Sequence, residues 1–251
     1  MDTAAICWGE MARRLFYAQE WKAGRAYLRG ETAEHVRRVL RAERGQVYEL
    51  SDGERVWLGR IEAFGRETVE FALLEELARA RVAAPVHLMV ALFKFDHFEW
   101  MIEKTTELGV ERITPVATLR AEKGLEAAAG KRQARWERIA REAGQQSRRV
   151  RPPEIGSVIS LREALAMNGE ARLFLEEASG ALPLLRAVNG HESCVAVLCG
   201  PEGGWDDRER EAAREAGWRS VSLGPMILRA ETAAVAALAV LLAAREATRA
   251  G

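Results

Sequence analysis

The chain of 251 residues contains little cysteine, and its cysteines do not have the spacing of any known site. The three cysteines, Cys7, Cys194 and Cys199, are an odd and sparse set, which argues against a disulfide framework and fits a reducing compartment. No CxxC motif occurs, and the histidines at 87, 97 and 191 lack the spacing of metal ligands. We therefore expect no metal site and predict that these histidines are surface or packing residues.

Long hydrophobic runs and an excess of charge of either sign are also missing. The most apolar stretch, residues 233–244, is shorter than the ~20 residues that span a bilayer, and the first ten residues do not resemble a signal peptide. We therefore predict a cytoplasmic protein that does not cross a membrane. Lys and Arg together number 37, as do Asp and Glu, so any nucleic-acid binding must depend on local basic patches.

Residues 12–82 have the pattern of a small β-rich domain. Three β-prone runs, at 47–50, 56–61 and 68–73, are separated by turn signals, and one short helix is predicted over 33–41. Residues 83–85 have the composition of a linker. This organisation favours a small β-barrel preceded by an N-terminal extension, residues 1–11.

Residues 86–251 alternate between strand and helix patterns, which predicts a parallel sheet with helices on both faces. The predicted strands are 86–92, 112–116, 173–175, 194–199 and 221–223, and the predicted helices are 96–108, 131–147, 182–188, 206–216 and 232–248. In the first helix we expect Asp96 to be the cap and Gly109 to be the stop, with Leu108 on the apolar face. We also expect Trp100 and Trp136 to be core residues, since both lie on apolar helix faces.

Two glycine-proline loops follow neighbouring predicted strands. The first is Cys199-Gly200-Pro201-Glu202-Gly203-Gly204, and the second begins with Leu223-Gly224-Pro225. Parallel strands present their following loops at one sheet edge, where α/β proteins bind ligands. One such loop alone is explained equally well as ordinary turn chemistry. Neither loop has the GxGxxG or GxxxxGK[ST] spacing, which disfavours a dinucleotide or triphosphate site.

The second loop continues as Met226-Ile227-Leu228-Arg229-Ala230-Glu231-Thr232-Ala233. Together with the first loop it resembles the cofactor-binding signature of the SPOUT methyltransferases, and within them the ribosomal RNA small subunit methyltransferase E family. Further resemblance covers most of the chain, through Arg13-Arg14-Leu15-Phe16, His35, Arg41, Lys94, Glu99-Trp100, Glu107-Leu108-Gly109-Val110, Trp136, Gln146-Ser147 and Arg149.

The resemblance implies an α/β fold, with a C-terminal SPOUT parallel sheet tied in a deep trefoil knot and a small N-terminal PUA-like β-barrel. It implies transfer of a methyl group from S-adenosylmethionine to N3 of a uridine in 16S ribosomal RNA by a homodimer. The apolar final helix independently favours a subunit interface. The resemblance of residues 11–16 to the family's first residues also suggests that Met11 is the natural start. Three residues depart from the family pattern, namely Glu34, Phe95 and Met226.

Site residues follow from the same resemblance. The implied cofactor-binding residues are Leu198, Cys199, Gly200, Pro201, Glu202, Gly203, Gly204, Leu223, Gly224, Met226, Ile227, Leu228, Thr232 and Ala233. The RNA-binding residues predicted from the resemblance and from the two basic patches are Arg13, Arg14, His35, Arg37, Arg38, Arg41, Lys94, Gln146, Arg149 and Arg151. One patch is N-terminal and consists of Arg13, Arg14, His35, Arg37, Arg38 and Arg41. The other spans residues 131–151, which contain eight basic and two acidic side chains.

Methylation at uracil N3 requires loss of the N3 proton. Arg229 can stabilise the resulting anion, because a nearby cation favours the charged form of an acid. Glu231 can act as a base or hold Arg229 in place. The same two residues also fit ordinary chemistry at a helix start, with Thr232 as the cap.

Three other functions remain compatible with these motifs. The chain can be a knotted methyltransferase that acts on a different RNA, or an RNA-binding module without catalysis. It can also be an unrelated α/β enzyme that binds phosphate through the first loop. The intact run from Arg229 to Thr232 argues against the second alternative.

Overall fold

The computed structural model describes residues 14–78, 85–122, 124–177 and 180–249. They form two compact units. The first consists of the described residues within Met1–Ala80 together with Gln145–Arg151, and the second consists of the described residues within Arg81–Gly144 and Pro152–Gly251. Residues 145–151 were predicted to belong to the C-terminal domain. These residues instead join the first unit, where Tyr17 Oη donates to the Arg149 carbonyl at 3.1 Å and Ser51 Oγ donates to the Val150 carbonyl at 2.5 Å. Arg13, the extension 1–11, Met11 and linker residues 83 and 84 lie outside the described residues.

The first unit contains one mixed sheet. Its elements are β1 (Leu15–Tyr17), β2 (Glu20–Lys22), β3 (Arg25–Arg29), α1 (Gly30–Glu34), β4 (Val47–Ser51), β5 (Val56–Phe64) and β6 (Thr68–Leu77), and a π-helical turn (His35–Val39) extends α1. The strand order is β1-β4-β5-β6-β3-β2, in which only the β1–β4 pair is parallel. The three predicted strands are confirmed as β4 to β6, whereas β1 to β3 were not predicted.

Alternating side chains form the core of this unit. In β3, Ala26 and Leu28 are fully buried while Arg25 and Arg29 are exposed, as the two-residue period of a strand requires. They pack with Phe16, Ile61 and Phe71 in one cluster.

The second unit is the α/β part of the chain. Its elements are β7 (Val86–Ala91), α2 (Phe95–Leu108), β8 (Arg112–Ala117), α3 (Leu125–Ala129), a 3-10 turn (Gly130–Arg132), α4 (Gln133–Gln146), β9 (Glu154–Ile155), β10 (Ile159–Ser160), α5 (Leu161–Leu165), β11 (Ala171–Leu175), β12 (Leu182–Pro183), α6 (Leu184–Ala187), β13 (Val195–Cys199), α7 (Asp207–Glu215), β14 (Arg219–Ser222) and α8 (Ala230–Arg249). The strand order is β10-β8-β7-β13-β11-β14-β12, with β9 beside β8, and every pair is parallel. The predicted parallel sheet is confirmed.

Both faces of this sheet are covered. Along β13, Val195 and Val197 enter one core cluster, whereas Ala196 and Leu198 enter another. The first cluster contains residues of α2, α4 and α8, and the second contains residues of α5 and α7. Strands buried on both faces are the reason that the sequence shows continuous apolar runs here instead of alternation.

Several helix details differ from the prediction. α2 begins at Phe95 after Lys94, without a side-chain cap, so Asp96 lies inside the first turn and does not cap the helix. Gly109 ends α2 with φ of 110°, as predicted. Trp136 is fully buried, but Trp100 is 45% exposed because it lies about 200° around the helix from buried Phe98. Leu108 is also exposed.

The last helix also begins earlier than predicted. α8 starts at Ala230, so Thr232 is an exposed residue within its first turn and not its cap. Among the helices that the structure describes, including α8, none has the length and apolar character needed to cross a membrane.

Candidate active site

A cavity of about 600 Å³ opens where β11, β13 and β14 end. The two glycine-proline loops line it together, as the sequence analysis expected. β11 lies between the strands that carry them, and the cavity also includes Leu175, Glu176 and Glu177 at its end. These three residues were not predicted. The rule that parallel strands bind ligands at their carboxyl ends could have found them, because they end or follow the apolar run 173–175.

Most of the predicted cofactor residues line this cavity. They are Gly200, Pro201, Glu202, Gly203, Gly204, Leu223, Gly224, Met226, Ile227, Leu228 and Ala233, and Arg229 lines it as well. Leu198, Cys199, Glu231 and Thr232 do not. Leu198 and Cys199 are fully buried in β13, and burial raises the pKa of the Cys199 thiol to about 12. Cys199 is therefore a core residue.

The first loop packs against the indole of Trp205, which two contacts hold in place. Trp205 stacks on Phe174 with ring centroids 4.4 Å apart, and its Nε1 donates to the Leu175 carbonyl at 2.8 Å. A Cβ at Gly200 would lie 2.9 Å from that Nε1, so only glycine fits there without a shift. Gly204 has φ of 67° and donates its N–H to the Pro201 carbonyl at 2.9 Å, which closes the turn.

The start of α7 holds this loop from its other end. Asp206 and Glu209 form a capping box, and the hydrogen bond from the Arg208 N–H lowers the pKa of the Asp206 carboxyl. Buried Glu209 also accepts from the Leu119 N–H at 2.8 Å. Arg120 donates to the Gly203 carbonyl at 3.3 Å and pairs with Asp206 at the same distance.

The second loop exposes apolar side chains at the cavity. Met226 is 74% exposed and Ile227 is 82% exposed, and Gly224 has φ of 122°. The Arg229 carbonyl accepts from the Ala233 N–H at 2.8 Å, which begins the hydrogen-bond ladder of α8. The loop therefore places large apolar groups outside the core, where a ligand or another chain can cover them.

Three arginines line the cavity. Arg210 pairs with Glu176 at 3.2 Å and with Asp207 at 2.9 Å, and Arg120 pairs with Asp206. No ion pair involves Arg229 within the described ranges, and its side chain is exposed. Of these cavity arginines, Arg229 is therefore the one whose charge is not already compensated.

Behind the cavity wall, His97 of α2 meets two glutamates. Its Nδ1 lies 3.4 Å from Glu231 Oε1 and 3.8 Å from Glu202 Oε1. His97 was interpreted as a surface or packing residue, and its contacts with the two glutamates were not predicted, because sequence spacing could not show that α2 packs against α8. Glu231 was predicted to act as a base or to hold Arg229, whereas among the described residues its ion pair is with His97. The three side chains have the composition of a metal site, although the sequence analysis expected none.

The predicted RNA-binding residues of the first unit are only partly available. Arg14, His35, Arg38, Arg41, Gln146 and Arg151 are exposed, as is Lys94 of the second unit, while Arg149 is half-buried. Arg37 instead donates to the carbonyls of Gly65 and Arg66, so its guanidinium stabilises the turn between β5 and β6. Arg38 pairs with Glu34 at 2.8 Å.

The predicted basic patch over 131–151 is divided between the two units, and several of its cations are already paired. Arg135 and Arg132 both pair with Glu99, at 2.7 and 3.5 Å, and Arg138 pairs with Glu142 at 3.9 Å. Residues 145–151 belong to the other compact unit. The charge count from the sequence therefore overstates the cationic surface of α4.

Comparison with known proteins gives a consistent family. The family model for the RNA methyltransferase domain matches residues 81–242. A ribosomal RNA small subunit methyltransferase E from Aquifex aeolicus is 28% identical over 229 residues, which are 91% of this chain and 98% of that protein. The protein of the same name from Bacillus subtilis is 30% identical over 84% of this chain and 87% of its own length.

Solved structures agree with these sequence matches. The ribosomal RNA small subunit methyltransferase E from Neisseria gonorrhoeae, bound to S-adenosyl methionine, has a TM-score of 0.82 and 30% identity over 90% of this chain and 95% of its own. A putative methyltransferase from Legionella pneumophila with bound cofactor has a TM-score of 0.83 and 31% identity over 93% and 98%. On the family model and these near full-length matches, the chain belongs to the ribosomal RNA small subunit methyltransferase E family.

Proposed function

We propose that this protein transfers a methyl group from S-adenosylmethionine to N3 of a uridine in 16S ribosomal RNA. One observation carries the proposal: both glycine-proline loops of the family signature line one cavity at the carboxyl edge of the parallel sheet. Two similar structures, at 30% and 31% identity, were solved with S-adenosylmethionine bound.

The residues of the cavity fit this cofactor. Its volume of about 600 Å³ is within the range of small-molecule sites. Leu223, Met226 and Ile227 offer apolar surface to an adenine ring, and glycine backbone lets the ligand approach closely. Glu177 and Glu202 add carboxylates to the wall beside the Arg210–Glu176 ion pair, and a carboxylate near the bound cofactor would favour its sulfonium cation.

The bound cofactor supplies the methyl group, and the protein must make uracil N3 nucleophilic. Arg229 lines the cavity with an uncompensated guanidinium, and a cation there favours the deprotonated uracil. We assign this role to Arg229 alone. Glu231 faces His97 and is 8% exposed, so its carboxylate is not directed at Arg229 or the cavity.

The proposed substrate is folded RNA, whose target base must leave its stack to enter such a cavity. Exposed Arg14, His35 and Arg41 of the first unit and Lys94 of the second are the proposed phosphate contacts. Because the proposed substrate is ribosomal RNA, we expect the protein to act in the cytoplasm.

The finer architecture is part of the same proposal. Membership of the family implies a trefoil knot formed by the two loops and α8, a PUA-like barrel in the first unit, and a homodimer. The homodimer has support in apolar residues of α8, such as Val235, Ala239 and Leu242, which are only half-buried within the described chain. Exposed Met226 and Ile227 add further apolar surface for a second subunit to cover.

A test compares ribosomal RNA from cells with and without this gene by mass mapping of modified nucleosides. We expect one 3-methyluridine in 16S RNA to disappear without the gene and to return when purified protein and S-adenosylmethionine are added to the deficient subunits. A matched control is the Arg229→Ala variant, which should bind the cofactor but fail to restore the modification. A methyl group missing from another RNA, with 16S RNA unchanged, would contradict the proposed substrate.

A further inference from the structure

We infer that His97 is a positioning residue that bridges Glu202 and Glu231 and thereby holds the first cofactor loop against the start of α8. The inference rests on the proposed function, because it concerns the loop that would hold S-adenosylmethionine. It assigns a role to a side chain outside the family's signature loops, carried by a helix that contributes no residue to the cavity lining.

The three side chains come from separate parts of the second unit. His97 lies in the first turn of α2, Glu202 in the loop after β13, and Glu231 in the first turn of α8. One imidazole nitrogen of His97 and one carboxylate oxygen of each glutamate all lie within 4.8 Å of one another. Glu202 lines the cavity, so the position of its loop depends directly on what its carboxylate contacts.

Polar atoms of His97 and Glu231 are buried, so they need partners inside the protein. Glu231 is 8% exposed, and its Oε2 is a buried oxygen without a hydrogen-bond partner in the described residues. His97 Nδ1 is likewise buried and makes no hydrogen bond within the part of the chain that the structure describes. A buried carboxylate needs a donor or a cation, and the imidazole is the group placed to provide it.

Three carboxylates surround the His97 imidazole. Glu231 from α8 and Glu202 from the first loop face its Nδ1, and Asp96 from its own helix lies 3.8 Å from its Nε2. Two carboxylates as close as Glu202 and Glu231 repel each other unless a proton or a cation lies between them. A protonated imidazole supplies that charge and a donor, and so pulls the two elements together.

The arrangement makes a prediction that separates a charge bridge from simple packing. His97→Lys places a fixed cation at this position, because lysine keeps its charge to about pH 10. His97→Gln keeps a hydrogen-bond donor but carries no charge. His191→Gln is the control, because His191 is exposed and does not line the cavity.

The experiment is calorimetric titration of S-adenosylmethionine into the parent and the three variants at pH 5.5, with urea unfolding to confirm that each is folded. We expect His97→Lys to bind within about threefold of the parent, and His97→Gln to bind about tenfold more weakly than the parent. His191→Gln should follow the parent.

Different failures have different meanings. If no cofactor binding is detected in the parent, the proposed function fails. If the parent binds the cofactor and His97→Gln binds it equally tightly, or His97→Lys binds it as weakly as His97→Gln, the charge bridge is refuted while the function stands. Zinc chloride is titrated separately: stoichiometric binding that requires His97, with loss of cofactor affinity in EDTA, would also overturn the inference, because the cluster would then be a metal site.

Discussion

Replacing Gly200 by alanine tests how the first loop is built. The added Cβ would lie 2.9 Å from Trp205 Nε1, closer than Cβ atoms approach other atoms in folded proteins, and a tight 3.0 Å from Trp205 Cε2. The backbone of Gly200 is not left-handed, so the entire cost is steric. The indole cannot move freely, because it stacks on Phe174 and donates to the Leu175 carbonyl.

The magnitude follows from the two ways of relieving this contact. Inserting a methyl group into a filled core costs about 1–3 kcal/mol. If the indole moves instead, the Leu175 carbonyl loses its hydrogen-bond donor, which also costs about 1–3 kcal/mol. We therefore expect Gly200→Ala to lower the free energy of unfolding by about 2 kcal/mol and to weaken cofactor binding about tenfold, since both shifts distort the cavity wall.

Urea unfolding and calorimetry with S-adenosylmethionine measure the two effects. Gly203→Ala is the matched control for stability, because its added Cβ would meet Arg120 Cβ at an ordinary 3.4 Å and should change unfolding by less than about 0.5 kcal/mol. Parent-like unfolding and parent-like affinity in Gly200→Ala would refute the account of the loop.

Three further predictions concern pH, catalysis and assembly. Burial lowers the pKa of His87 to about 4. Below pH 6.5 His87 binds a proton in the unfolded chain but stays neutral in the folded protein. The free energy of unfolding of the parent, measured with urea, should therefore fall by about 3 kcal/mol towards pH 4 relative to that of His87→Gln. An equal change of unfolding free energy with pH in the two proteins would contradict this. Arg229→Ala should lower the single-turnover rate of methyl transfer by about 10²–10³-fold while cofactor affinity changes little, and Arg229→Lys should restore only part of that rate. If Arg229→Ala instead loses cofactor affinity and keeps its turnover, Arg229 is a cofactor-binding residue. Light scattering should give twice 27.9 kDa, and a monomer mass would exclude the dimer.

The sequence predicted the parallel sheet and both loops because these depend on local patterns. An apolar run that ends at Gly200 or at Gly224 indicates a strand end, whatever the neighbouring strands are. The order of the strands was not accessible in this way. β11 lies between β13 and β14, and this placement brings Glu176 into the cavity.

Two features that the prediction missed have the same physical origin, namely contacts between residues far apart in the chain. His97 and Glu231 are brought together by the packing of α2 on α8, which no spacing rule describes. Likewise Arg132 and Arg135 were counted as free cations, although Glu99 of α2 compensates both. A local charge count cannot include a partner from another helix.

The two departures from the family pattern in the second unit have different consequences. Phe95 packs on Trp136 with ring centroids 5.9 Å apart, and the Arg132 guanidinium lies 5.0 Å from its ring centre. An aromatic ring at the first residue of α2 therefore fixes that helix start against α4, two residues before His97. Met226, by contrast, lies on the cavity and is largely exposed. Phe95 thus bears on the placement of His97, and Met226 is the departure that bears directly on what the cavity binds.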